Sequence, residues 1–284
     1  MALLANRSDQ PPDLTDEDFQ FFADYFYRRT GIQFAANKRY FVDRRVQDRI
    51  LRSGRTNFRD YFDFLRRDGA EYQSLVNAMT VNETYFYREL YQLECLVKSI
   101  LPDVIKALGG GRTIRIWSMP CSTGEEPYSI AFYLLEHWRL VDDYEIEIVA
   151  SDIDTEALGK AKAGRYNTRS LQHVPQITLN KYTTDEGEGM RRVVPALRDS
   201  IRFTKANLLD IHDDSAFRDF HVVFCRNMLI YFDDLSRREA GEALFASMAK
   251  GGFICLGHSE SMSRISSLFE LRKFPEAIVY QKPL

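Results

Sequence analysis

The sequence predicts an α/β protein: a doubly wound, mostly parallel sheet, preceded by an all-helical domain and carrying a small antiparallel insertion. Three observations predict it. From Arg112 onward, apolar strand patterns alternate with helical ones, which pairs strands in parallel through crossover helices. Residues 14–80 show helical periodicity only. The stretch 112–130, RTIRIWSMPCSTGEEPYSI, runs from a buried strand through small residues into an acidic helix start. An open sheet presents backbone N–H groups and a helix N-terminus to a ligand in that way.

Composition narrows the class. A chain of 284 residues allows one large or two modest domains with a sizeable core. No apolar run approaches the ~20 residues of a membrane span. The opening MALLANRSDQPPD is too polar for a secretory signal, so a cytoplasmic protein with no direct membrane insertion is expected. Cys95, Cys121, Cys225 and Cys255 form no CxxC pair and read as reduced, buried thiols. The histidines (His137, His173, His212, His221, His258) have no metal-ligand spacing, so no metal site is expected. A net charge of −3 makes no case for nucleic acid. Between Arg28 and Arg67, however, twelve Lys/Arg face four Asp, a local surplus that suits an acidic partner surface.

The elements follow in order. Residues 1–13 are polar with a proline pair and are expected to be disordered. Thr15-x-x-Asp18 resembles a capping box and opens a helix with Phe19, Phe22, Ala23 and Phe26 on one face, ending at Gly31. Asn37 is expected to cap a second helix to about Gly54, with Val42, Val46 and Ile50 inward and Arg45, Arg49 and Arg52 on another face. Helices over 57–67 and 71–79 complete a domain of residues 14–80. A linking stretch, 81–111, holds the polar-aromatic NETYFYREL, a helix over 92–108 and a triple glycine that reads as its C-cap. Residues 112–284 form the α/β domain. Its strands are expected at 114–119, 145–150, 220–225 and 253–256, with helices at 126–139, to about 163, and at 233–249. The turn DEGEG (185–189), flanked by MRRVVPAL and SIRFTKA, predicts an antiparallel subdomain over 181–206, after an irregular stretch to Tyr182. Gly251-Gly252 is expected to turn the chain into the next strand, and the tail to form two strands around Pro275.

Ligands of such sheets sit outside the carboxyl ends of the strands. There the chain carries Ser122–Glu125, then Asp152 and Asp154, then Asn207 and Leu208, then Arg226, Asn227 and Tyr231. Neither GxxxxGK[ST] nor GxGxxG occurs, which excludes the familiar phosphate and dinucleotide cradles. Asp152 is placed to accept both hydroxyls of a ribose, and Glu125 to meet an ammonium or sulfonium. A ribose acceptor beside a cation-tolerant, phosphate-free loop points to S-adenosyl-L-methionine. The bland alternatives are helix caps at Asp154 and Asn207, dipole complementation at Glu125 and a core role for Tyr231.

The segments NETYFYRE, WSMPCSTGEEPYSIA, ASDIDTEALGKAKAGRY, VFCRNMLIYFD and GGFICLGHSES resemble the chemotaxis receptor methyltransferases of the CheR type, collinearly from about residue 14 to 281. The resemblance implies a class I, Rossmann-like methyltransferase domain. It implies methyl transfer from S-adenosyl-L-methionine to chemoreceptor glutamates, giving methyl esters and S-adenosyl-L-homocysteine. Its cofactor contacts fall on Asn82, Thr84, Arg88, Glu125, Asp152, Asn207, Leu208, Asn227 and Met228, with Tyr231 and Arg88 near the reacting methyl. Glu125 is favoured over Glu126 because it is nearer the loop, and the sequence leaves that choice open. Met119-Pro120-Cys121 departs from the small residues usual in the family and predicts a reshaped loop. The implied partner is the receptor's cytoplasmic helical bundle, whose acidic methylation helices would dock on Arg45, Arg49 and Arg52. Some members also bind a receptor C-terminal tether peptide at the β-subdomain; the sequence does not decide whether this chain does. Two other readings are a nucleic acid methyltransferase, whose [DN]PP[YFW] segment is absent, and a non-catalytic cofactor-binding receptor adaptor.

Overall fold

A computed structural model describes residues 14–211 and 214–284; the segment 1–13, expected to be disordered, lies outside the described residues. The chain divides into two compact units, Met1–Thr80 and Val81–Leu284.

The first unit is helical. Helix α1 (Asp16–Thr30) opens on the expected capping box, with Thr15 and Asp18 exchanging side-chain and backbone hydrogen bonds, and stops at left-handed Gly31. Helix α2 (Arg39–Arg52) is entered through a 3-10 turn, Ala36–Lys38, and no side chain caps it. Asn37 lies inside that turn and not in the extended conformation a cap requires, which corrects the expectation. Helix α3 (Phe58–Leu65) is capped by Asn57 and α4 (Gly69–Met79) by Asp68. Phe22, Phe26, Val42, Val46, Ile50, Tyr61, Leu75 and Val76 are buried among them.

Two of the three arginines expected to form a docking face have internal partners instead. Arg49 forks onto the buried Glu71 at 2.9 and 2.6 Å, and Tyr61 donates its hydroxyl to the same carboxylate at 2.9 Å. Arg45 donates to the Ala78 carbonyl at 2.6 Å and lies 3.5 Å over the Phe41 ring. Arg52 is exposed and pairs with Asp48 one turn back. The pattern reading missed this because Glu71, the acid that draws Arg49 inward, lies outside the basic span.

The second unit begins with the segment 82–89. Helix α5 (Leu90–Cys95), a π turn (Leu96–Ile100) and α6 (Leu101–Leu108) follow as one run, ended by left-handed Gly109. Then come β1 (Thr113–Ser118), α7 (Glu125–His137), β2 (Glu145–Asp152) and α8 (Thr155–Ala163). The stretch expected to be irregular holds β3 (Arg165–Asn167) and α9 (Gln176–Tyr182). Strands β4 (Thr183–Gly187) and β5 (Met190–Val193) form the DEGEG hairpin, and β3 joins the other side of β5. Helix α10 (Pro195–Ser200), opened by its proline, then ends the subdomain. SIRFTKA is therefore not a hairpin arm. Its β6 (Ile201–Lys205) pairs in parallel with β2, Ile201 opposite Ile148, at the edge of the main sheet. The chain closes with β7 (Phe220–Cys225), α11 (Asp234–Ser247), β8 (Met248–Leu256), β9 (Glu270–Lys273) and β10 (Ile278–Gln281). Gly251-Gly252 lies within β8, where the register with β7 shifts, and does not precede the strand.

Among the described residues the main sheet runs β6-β2-β1-β7-β8-β10-β9, parallel up to β8 and antiparallel through β10 and β9. Chain order reverses between β1 and β7, so the ligand crevice of this topology opens over their carboxyl ends. Ile114, Ile116, Phe224, Phe253 and Cys255 are fully buried in its core. No helix among the described residues is long and apolar enough to cross a membrane.

In the helical unit, Glu71→Ala leaves the Arg49 guanidinium largely buried without its counter-ion. It is expected to cost about 3 kcal/mol, read as a lower urea midpoint by circular dichroism. Tyr61→Phe, which removes one neutral donor, is expected to cost nearer 1 kcal/mol.

Candidate active site

The loop after β1 is held from both sides. Met119 donates its N–H to Phe224 of β7 at 2.9 Å, and Cys121 donates to Ser151 of β2 at 2.8 Å. Ser122 then takes a left-handed conformation, φ 48°, and donates its N–H to Asp152 Oδ2 at 2.7 Å. Asp152 Oδ1 accepts the N–H of Asp154 at 2.9 Å. Burial pushes the Asp152 carboxyl up to about 6, against the pull of those N–H groups. Gly124 closes the loop at φ 97°; a Cβ there would sit 2.7 Å from the Tyr166 hydroxyl and 2.8 Å from Ala161 Cβ. Only glycine meets both demands.

The segment 82–89 braces the same loop. Asn82 accepts from the Ser122 hydroxyl at 2.8 Å and donates to Asp154 at 2.6 Å, while Asp154 also caps α8. Tyr87 donates its N–H to Ser129 of α7 at 3.0 Å.

Of the two acids that open α7, Glu125 turns into the fold. Its carboxylate accepts from Thr123 at 2.6 Å and Ser170 at 3.0 Å, and burial raises its pKa. Glu126 accepts from Ser118 at 2.7 Å and from Arg226 at 3.0 Å. Burial raises Glu126 too, and the Arg226 guanidinium opposes the rise. Arg226 is buried, also reaches Glu89 at 3.3 Å, and donates to the Arg88 carbonyl at 2.7 Å. One guanidinium thus joins the start of α7, the end of β7 and the segment 82–89. At the end of β8, Gln92 donates to the Leu256 carbonyl at 2.7 Å, and just beyond it Glu89 accepts the N–H of His258 at 3.3 Å.

These parts line an open cleft. Thr84, Arg88 and Asn227 line it, as the sequence expects, together with Glu126, Arg226, Ser122 and Cys121. Two acids stand on its wall, Glu83 and Glu126, while the favoured Glu125 faces Thr123 and Ser170. The other expected residues do not line it. Asn82 and Asp152 brace its loop. Asn207 follows β6 and caps the 3-10 turn at Leu208–Asp210, with Leu208 buried. Met228 accepts the N–H of Tyr231, and Tyr231 is exposed. Arg88 donates to the Glu83 carbonyl at 2.8 Å and, among the described residues, has no ion-pair partner. Arg226 Nε is buried with no hydrogen-bond partner. Sequence reasoning named Arg226 only as a residue outside the core and missed Glu89. Its one available sign was a charge directly after the fully apolar end of β7.

The chain matches the family model "CheR methyltransferase, SAM binding domain" over residues 82–278 and "CheR methyltransferase, all-alpha domain" over residues 17–80. It is 49% identical over 272 residues to chemotaxis protein methyltransferase 2 of Vibrio cholerae, covering 95% of this chain and 94% of that one. It is 38% identical to chemotaxis protein methyltransferase 2 of Pseudomonas aeruginosa, covering 89% and 90%. It is 33% identical to the chemotaxis protein methyltransferase of Escherichia coli, covering 91% and 89%.

Removing the shared cation tests the frame of the site. Arg226→Ala leaves Glu126 and Glu89 facing one another without it and is expected to cost about 3–5 kcal/mol in urea unfolding. Arg226→Lys restores a charge but not the fork, and should recover only part of the loss.

Proposed function

The chain belongs to the CheR methyltransferase family, and from that premise we propose how its cleft methylates glutamate side chains of chemoreceptors. The enzyme is a protein-glutamate O-methyltransferase dependent on S-adenosyl-L-methionine. The observation that carries the reading is the cleft at the β1/β7 switch point, which holds two acids and two arginines but no phosphate loop.

The residues present fit the cofactor. Glu126 supplies a carboxylate to an ammonium, and Arg88 and the unpartnered Arg226 Nε supply donors to a carboxylate. Asp152 accepts the N–H groups of Ser122 and Asp154 and has lone pairs left for ribose hydroxyls. By the family resemblance, Asn207, Leu208 and the backbone at Asn227–Met228 would meet the adenosine portion, and Asn82 and Thr84 would add further contacts. When bound, the cofactor supplies a methyl group already activated on a sulfonium.

No general base is needed, because a substrate glutamate with a pKa of ~4.3 is ionised at neutral pH. The chain's work is alignment and water exclusion, and alignment alone can supply ~7–11 kcal/mol in favourable cases. Burial, with Glu83 and Glu260 nearby, raises the Tyr231 phenol against the pull of Arg88. Tyr231 therefore stays protonated and can donate to the incoming carboxylate. Arg88, from the facing segment, holds the cofactor's carboxylate.

The partner in this reading is the receptor's cytoplasmic helical bundle, which a cytoplasmic enzyme would reach. With Arg45 and Arg49 engaged internally, docking on α2 falls to the exposed Arg44 and Arg52. A receptor C-terminal tether peptide would meet the β-subdomain, where Leu171, Val174, Leu179, Met190 and Arg191 line a second groove.

Receptor-bearing membranes incubated with methyl-labelled cofactor should acquire base-labile label, the mark of a methyl ester. Base-stable label or none, with cofactor bound, would favour another acceptor or an adaptor. Tyr231→Phe should lower turnover by about 10²-fold with cofactor affinity unchanged; unchanged turnover ends the tyrosine's role. For docking, Arg44→Glu with Arg52→Glu should raise the KM for receptor without altering cofactor affinity in calorimetry. An unchanged KM places docking elsewhere.

A further inference from the structure

Glu260, beyond β8, anchors the loop beyond β7. Its Oε2 accepts the N–H of Asn227 at 2.7 Å and that of Gly257 at 2.8 Å, and its Oε1 accepts the N–H of Ile230 at 3.3 Å. Asn227 is left-handed, φ 59°, a conformation a non-glycine residue keeps only when its surroundings hold it. Ile230 directly precedes Tyr231, whose own N–H returns to Met228 at 3.0 Å. One carboxylate therefore grips both ends of the turn 227–230. The approach is close: a Cβ on Gly257 would sit 2.8 Å from both Asn227 Nδ2 and Glu260 Oε2. A carboxylate is the side chain for this place, because every contact offers a donor and both of its oxygens accept.

We propose that Glu260 is a positioning residue for methyl transfer, fixing the 226–231 loop so that the Asn227 backbone and the Tyr231 hydroxyl keep one geometry. The inference rests on the reading of this cleft as the methyl-transfer site. The two arms of the carboxylate predict different losses. In Glu260→Gln the amide oxygen can keep the Asn227 and Gly257 bonds, but its NH₂ then faces the N–H of Ile230. The tyrosine end of the loop is released while the cofactor end is kept.

The test uses the full chain, receptor-bearing membranes and cofactor, with kcat at saturating substrates, the calorimetric Kd of S-adenosyl-L-homocysteine, and the thermal midpoint. Glu260→Gln is expected to lower kcat at least about tenfold while Kd moves less than threefold. A kcat within twofold of the wild type overturns the proposal. A fall in kcat matched by an equal loss of folded protein also overturns it. If Glu260→Gln is unfolded at the assay temperature, both proteins are assayed below the variant's thermal midpoint. The same split between kcat and Kd then supports the proposal, and a uniform loss overturns it. Tyr231→Phe separates the two readings. Full turnover there, with the split intact in Glu260→Gln, ends the tyrosine's role and leaves Glu260 acting through the loop backbone.

Discussion

The buried guanidinium of Arg226 is the interaction on which the rest of this fold depends. A charge taken out of water must be matched closely, or its desolvation outweighs what it contributes. Arg226 is matched by Glu126 on one side and by Glu89 and the Arg88 carbonyl on the other. Those partners come from the first turn of α7 and from the segment before α5. Pairing the cation therefore fixes where a helix starts, where a strand ends and how the segment 82–89 crosses them. Carbonyl-to-amide bonds from the sheet hold the loop at Met119 and Cys121 but tie down neither the first turn of α7 nor the segment 82–89. The switch point between β1 and β7 needs a polar device of its own, and the arginine is that device.

Much of this was legible in the sequence, and the limits have physical reasons. The alternation from Arg112 onward gives the parallel strands because each is an apolar run between helical periods. Asp152 could be placed at the carboxyl end of β2 because a strand end fixes an acid's position without knowledge of its partners. Pairings could not be read. Arg226 meets groups 100 and 138 positions away, and Asn227 meets Glu260 across 33. No local pattern encodes such separations. The misreading of 201–205 has the same origin. A five-residue strand beside a hairpin looks like part of it, and only its pairing with β2 assigns it to the main sheet. The arginines of α2 fail for a related reason, since periodicity sorts residues by face and does not see Glu71 drawing Arg49 inward.

The loops of the cleft share one departure from ordinary backbone. Tyr87, Glu89, Ser122 and Asn227 all have positive φ, and all lie in the segment 82–89 or in the loops after β1 and β7. Each such residue costs of order 1–3 kcal/mol and persists only where its surroundings over-determine it. The determinants can be named. Tyr87 donates to Ser129, Glu89 is held by Arg226 and Gln92, Ser122 by Asp152 and Asn82, and Asn227 by Glu260. In three of these the holding group is a charged side chain. The strain and the buried charges are thus two aspects of one construction.

That construction also decides what kind of chemistry the cleft favours. Transfer of a methyl group from a sulfonium to a carboxylate begins with two opposite charges and ends with none. A site that stabilised either charge strongly would deepen the ground state and slow the step. Four acids around the cleft are engaged before any substrate arrives: Asp152 by backbone N–H groups, Glu260 by three more, Glu89 and Glu126 by Arg226. An acid so engaged can orient a cationic ligand without becoming a strong counter-ion to it. Among the described residues Arg88 stands without an ion-pair partner, on the wall of the cleft. The cleft thus combines charges placed accurately with charges already partly neutralised, as a reaction that neutralises charge requires.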